Sequence, residues 1–215
     1  MPTKFVCLAN SFKEGGRCLA GIELDANNNP VIVNGRPKWI RPVCNTPHGE
    51  VPNHIAHTFN VFDMIEIDIT GTPPLNYQSE NVFFQESTIK AHGVFDKARL
   101  PFLYDGWSLV FGNRGKAVSR DRIASLDHSL MLIKTLDFEI TNKLYSDRQA
   151  NKQQTRLVFK YNNVLYDFPV TDPVFLYQYK CDSNLLDNIN ELSLCLSLGI
   201  EWENWYYKLV ATIIF

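Results

Sequence analysis

No run of the 215 residues is long and apolar enough to span a bilayer as a helix, so a membrane partner is not expected. The opening MPTKFVCLANS lacks the apolar core of a signal peptide. Five cysteines make an odd count with no C-x-x-C pair, which argues against a disulfide framework and for a reducing cytoplasm. There is no G-x-S-x-G, no Walker loop and no G-x-G-x-x-G, so the usual signals of hydrolases, NTPases and dinucleotide enzymes are missing. No cofactor is expected. Nor is there an excess of positive charge. A net charge of -2 excludes a polybasic nucleic-acid coat, and anion binding must come from a local patch. Long helices alternating with strands are also lacking, which excludes an α/β fold.

What is present points to β-structure. Hydrophobic residues make up 45% and charged residues 20%, enough for a buried core. The aromatic share of 13% favours strands. KFVCLA, RCLAGIEL, PVIV and KWIRPV read as short strands parted by polar turns, among them Gly15-Gly16 and DANNNP. From Met64, Ile65, Ile67 and Ile69 alternate with Glu66 and Asp68, a half-buried strand ended by Gly71 and Pro73-Pro74. A short helix is expected around Phe95 to Leu100, and another in NLLDNINEL. TRLVFKYNNVLYDFPVT is a hairpin turning at Asn162-Asn163, because asparagine tolerates left-handed backbone. LSLCLSLG and YYKLVATIIF close the chain as apolar strands. Many short strands with frequent turns predict a mostly β protein: two small tandem barrels with a few short helices. The basic stretch GNRGKAVSRDRIASL sets the expected division, residues 1–112 and 113–215.

Four groups of residues could carry chemistry. Cys7, Cys18 and Cys195 lie in apolar strand-like runs, where a buried small hydrophobe accounts for each. Cys44, His48, His54 and His57 have donor types that suit Zn²⁺, but their spacing matches no compact zinc motif and the segment reads as a polar loop. Asp63, Glu66 and Asp68 could hold Mg²⁺ for a nuclease, yet strand alternation puts Asp63 on the opposite face from the other two. No metal is therefore expected. The fourth group combines cations with rings. Lys13 and Arg17 flank the Gly15-Gly16 turn beside Phe12, Arg36, Lys38 and Arg41 surround Trp39, and Arg114, Lys116, Arg120 and Arg122 lie in the basic stretch, Arg114 and Lys116 being the two taken as binding candidates. Phosphates need such cations, and bases need flat groups to stack on.

CLANSFKEGGRCLAGIE, KWIRPV, DMIEIDI, YQSENVFF and the ending LCLSLGIEWENWYYKLVATIIF together resemble the dual OB-containing domain family, over essentially the whole chain. The resemblance implies two tandem OB folds, a prokaryotic source, a link to conflict and anti-phage systems, and nucleic acid as ligand. Its pattern falls on Asn10, Ser11, Gly16, Arg17, Gly21, Trp39, Arg41 and Pro42. Phe12 stands where that pattern carries a basic residue, which leaves more of the phosphate contact to Lys13 and Arg17. The expectation is a non-enzymatic binder or sensor of nucleic acid, single strands favoured. Lys13, Arg17 and Arg41 would meet phosphates, Asn10 and Ser11 a base edge or sugar, and Phe12 a base face. The alternatives are an adaptor for a partner effector protein and, after that, a metal-dependent nuclease.

Overall fold

The computed structural model describes residues 2–73, 77–147 and 150–215. Pro74, part of the expected strand stop, lies outside the described residues. Against the expected boundary after residue 112, compactness divides the chain at Gly106. One unit takes 1–106 together with 127–130, and the other takes 107–126 and 131–215. The returning segment is tied to the first unit by Ser79, whose hydroxyl donates to the Asp127 carbonyl at 2.5 Å, and by Ser129, which donates to Glu80 from its backbone and its hydroxyl.

The first unit contains β1 (Pro2–Lys13), β2 (Gly16–Leu24), β3 (Ile32–Val33), β4 (Arg36–Pro37) and β5 (Trp39–Val43). After α1 (Asn53–Ala56) come β6 (Asp63–Gly71), β7 (Asn81–Phe84) and β8 (Lys90–Val94). Its pairings form a ring. β1 pairs with β2, β2 with β5, β5 with β7, β7 with β6, and β6 returns to β1. All are antiparallel except β5–β7. The result is a closed five-stranded barrel of OB type, and closure leaves these strands no free edge. Inward positions alternate along each strand, so Phe5, Cys7, Leu19, Ile40, Ile65 and Ile67 fill the interior. A bulge between Cys7 and Ala9 bends β1. Opposite it, a Cβ on Gly21 would sit 1.8 Å from the Val6 carbonyl oxygen, so the strands meet this closely only because the residue is glycine. The first hairpin turns at Glu14-Gly15 (φ 41° and 84°), one residue earlier than expected, and Gly16 already belongs to β2.

The second unit contains β9 (Ala117–Ser119), α2 (Arg120–Ile123), β10 (Leu130–Thr135), β11 (Phe138–Asp147) and β12 (Ala150–Tyr161). β13 (Val164–Pro169), α3 (Pro173–Cys181), β14 (Leu192–Trp202) and β15 (Trp205–Ile214) complete it. Its strands make two sheets, β10-β14-β15-β9 and β11-β12-β13, joined by a parallel bridge from Val170 to Val210. This is a half-barrel. The expected Asn162-Asn163 turn is present with φ of 48° and 62°, and Glu203-Asn204 turns β14 into β15 in the same way. Two helix expectations need correction. NLLDNINEL forms successive turns, with Leu185, Asp187 and Ile189 each donating to the carbonyl three residues back. Its Asn and Asp side chains favour turns over helix. A helix forms instead at Pro173–Cys181, where Asp172 caps the amides of Val174 and Phe175 at 2.9 and 3.0 Å and Pro173 opens the first turn. Near Phe95–Leu100 the chain forms a 3-10 helix, displaced to Lys97–Leu103.

Candidate nucleic-acid interface

In the first unit, the end of the β1–β2 hairpin gathers three of the expected residues. Alternation turns Ser11 inward (3% exposed) and Phe12 outward (53% exposed). The register sets Phe12 opposite Arg17, and the Arg17 guanidinium lies 4.6 Å from the Phe12 ring centre. Arg17 Nε also donates to Asn53 Oδ1 at 3.1 Å, and Asn53 Nδ2 donates to the Gly15 carbonyl at 2.9 Å. Lys13 is half-buried, and desolvation pulls its pKa below the usual lysine value. Phe12 and Arg17 thus form a cationic, ring-bearing corner, while alternation turns Lys13 to the opposite face of β1.

The other expected residues of this unit serve the fold. Asn10 Nδ2 donates to the carbonyls of Ala56 and Phe59, both at 2.8 Å, and so pins the chain after α1. Trp39 is half-buried and its Nε1 donates to Asp105 Oδ2 at 3.2 Å. Arg41, expected to meet phosphate, is 2% exposed. Its Nη2 lies 3.3 Å from Glu80 Oε1 and its Nη1 donates to Asn81 Oδ1 at 3.3 Å, so its charge is matched inside the protein.

The metal candidates separate in the same way. Cys44 is buried, and desolvation pushes its thiol up to about 12, while His48, His54 and His57 are exposed. Asp63 accepts the Asn60 amide at 2.7 Å. Glu66 takes Lys90 at 2.9 Å and His92 at 3.2 Å, and these partners hold its carboxyl below the usual range. Among the described residues, no three of His, Cys, Asp and Glu come together as metal ligands do.

The second unit carries a cleft of about 760 Å³. Arg114 and Lys116 enter it from the loop before β9, Lys143 from β11, Arg156 from β12 and Lys208 from β15. Among the described residues, Asp167 on β13 is the single carboxylate in its lining. It accepts from Lys143 and, at 2.5 Å, from Arg156 Nε. Burial alone would raise its pKa, but these two cations outweigh that and hold it below the usual value. Among the described residues, basic side chains therefore outnumber carboxylates in the lining five to one. Arg114 and Lys116 are exposed, and among the described residues neither forms an ion pair. The Lys116 ammonium lies 5.8 Å from the ring centre of half-buried Tyr207, and Tyr166 and Phe168 are buried in the wall.

Lys208 is the least expected of these groups. It is fully buried, yet among the described residues no carboxylate neutralises it. Its Nζ donates to the Val110 carbonyl at 2.7 Å, the Asn113 carbonyl at 2.9 Å and Asn113 Oδ1 at 3.0 Å, one acceptor for each ammonium proton. The rings of Tyr166 and Phe168 lie 5.4 and 5.8 Å from the charge. Desolvation still brings its pKa down to about 7. Sequence reasoning found Arg114 and Lys116 but missed Lys143, Arg156, Tyr166, Tyr207 and Lys208. A visible signal for the last was a lone lysine at an inward position of the apolar run YYKLVATIIF.

A closed OB barrel followed by an OB-like half-barrel, each carrying its own cations and rings, defines a tandem-OB protein. The dual OB-containing domain family matches residues 3–213, and the chain belongs to that family. Among solved structures, the crystal structure of the p204 HINb domain is similar at 10% identity and a TM-score of 0.36, with 98% of this chain and 96% of that one covered. The tetrameric p202 HIN2 is similar at 9% identity and a TM-score of 0.33, covering 100% and 94%. A replication protein A heterotrimer bound to ssDNA is similar at 10% identity and 0.36, covering 92% of this chain and 43% of that one. Likeness this weak does not bear on what this chain binds. No curated protein matches it.

Proposed function

We propose that this protein binds nucleic acid without acting on it chemically, with single strands preferred over duplex. The cleft of the second unit carries the reading: five cations and one carboxylate around a space of about 760 Å³, with Tyr207 at its side. Cations neutralise successive phosphates and release their counterions, while a ring accepts an unstacked base. The Phe12 and Arg17 corner of the first unit repeats the same chemistry on a smaller scale.

Fluorescence anisotropy with labelled single-stranded DNA and RNA tests the proposal. Binding should weaken steeply between about 50 and about 200 mM salt. Arg114→Glu and Lys116→Glu should each weaken it about tenfold and lower the salt slope by about one contact or more. No binding at low salt, or binding indifferent to salt, overturns the reading. Tighter binding to duplex would overturn only the strand preference.

A second reading, an adaptor for a partner effector, draws on Leu144, Val174 and Tyr177, which are large, apolar and exposed on the second unit. A stoichiometric co-purifying protein that tolerates Arg114→Glu would favour it. We also propose that either activity serves a prokaryotic defence system. Loss of phage protection with Lys116→Glu is the outcome that reading expects, and unchanged protection would count against it.

A further inference from the structure

The segment 110–116 delivers two of the cleft's cations, Arg114 and Lys116, and its regular structure is a single 3-10 turn at Val110–Gly112. Phe111 (φ 46°) and Gly112 (φ 70°) lie in the left-handed region, costly for a phenylalanine unless its surroundings fix it. Those surroundings converge on β15 and β13. The Lys208 ammonium donates to three oxygens of Val110 and Asn113. The Lys208 backbone amide donates to the Lys116 carbonyl at 3.0 Å. The Val110 amide donates to the Tyr166 hydroxyl at 3.2 Å. Within the segment, Asn113 Oδ1 accepts the Gly115 amide at 2.7 Å as well as the Lys208 ammonium. Arg114 and Lys116 sit on either side of that bonded glycine.

We propose that Lys208 is a positioning residue: its ammonium straps the 110–116 segment into the shape that presents Arg114 and Lys116 to the ligand, and it does not touch the ligand itself. Two observations exclude the plainer alternatives. Lys208 is fully buried and its three protons are already taken, so it has nothing left to give a phosphate. A purely packing role would not need a charge here, since a methionine of similar length would fill the space without a desolvation cost. The part of the inference that concerns ligand rests on the nucleic-acid reading above. The strap itself does not.

The test separates the two. Hydrogen exchange on the wild-type chain should show the amides of Asn113 and Gly115 protected, although Gly115 is exposed. In Lys208→Met, protection at both should fall about tenfold or more, while the Leu196 amide in the β14–β15 ladder keeps its protection. Affinity for labelled oligo-dT should fall in Lys208→Met, and its salt slope should drop although no ligand-contacting cation has been removed. Adding Lys208→Met to the double variant Arg114→Gln/Lys116→Gln should then cost nothing further. Unprotected Asn113 and Gly115 amides in the wild type would overturn the strap, a result that does not require the variant to fold. Additive losses in the triple variant would overturn the positioning role. Lost protection in Lys208→Met with no oligo-dT binding by any chain would uphold the strap and sink the nucleic-acid reading instead.

Discussion

The most deeply buried basic side chains of the two units, Arg41 in one and Lys208 in the other, are held by opposite means. Arg41 in the closed barrel faces Glu80 at 3.3 Å, so the pair adds nothing to the field outside. Lys208 in the half-barrel faces three carbonyl-type oxygens and two rings, which stabilise the charge without cancelling it. A counter-ion makes a buried cation structural, whereas dipoles leave whatever charge it carries uncancelled beside the cleft. The surroundings agree with that difference. In the closed barrel a cation meets an exposed ring at one hairpin corner, while the half-barrel lines a cleft with cations.

Breaking the Arg41 side of this contrast should have the largest effect. Arg41→Met leaves Glu80 buried without its counter-cation and should cost about 3–5 kcal/mol in denaturant unfolding. Oligo-dT affinity should be unchanged under conditions where the variant is folded. A stable Arg41→Met chain that binds less well would mean that Arg41 reaches the ligand after all.

The barrel's closure can be attacked separately. Gly21→Ala puts a methyl against the Val6 carbonyl, and the backbone must move to admit it. About 1–3 kcal/mol of stability should be lost. Chemical shifts should move along β1 and β2 and stay fixed in the half-barrel.

The Lys208 side is read best through pH. Its native pKa of about 7 lies below the ordinary 10.5. Between those values the unfolded chain binds more protons than the native one, so stability should rise with pH across that window. Below about pH 7 both states are charged and the burial cost is present in full. The slope from this group can reach about 1.4 kcal/mol per pH unit. Lys208→Met should flatten the profile, and an equally steep profile in that variant would show that the slope arises elsewhere.

The smallest effect should come from a cation that neither unit buries. Lys90 meets Glu66 at 2.9 Å on the open surface, and Lys90→Ala should change unfolding free energy by less than about 0.5 kcal/mol. It should leave oligo-dT binding alone, which marks the second unit's cleft cations as distinct from ordinary surface charge.

Much of the fold was legible because its signals are local. Alternation placed Ile65 and Ile67 inside, and Asn162-Asn163 announced its turn through backbone preference. The Asp172-Pro173 start of α3 was equally legible, but VFLYQY behind it has the aromatic content of a strand and masks it. Site residues were legible only in part. Arg114 and Lys116 stand in a polar stretch and look available. Lys143, Arg156 and Asp167 lie on three different strands, and nothing in their spacing says that one carboxylate serves two cations.

By itself, then, the sequence determined the β character, the main turns, the inward cysteines and the presence of cations beside rings, because each depends on neighbours along the chain. The tertiary structure alone decided which of those cations act outward. Arg41 and Lys208 occupy comparable strand positions in one dimension. Whether each meets a carboxylate or a carbonyl depends on Glu80, 39 residues from the first, and on Val110 and Asn113, 98 and 95 residues from the second. Charge compensation is a through-space property, and only the closed or half-open barrel fixes those distances.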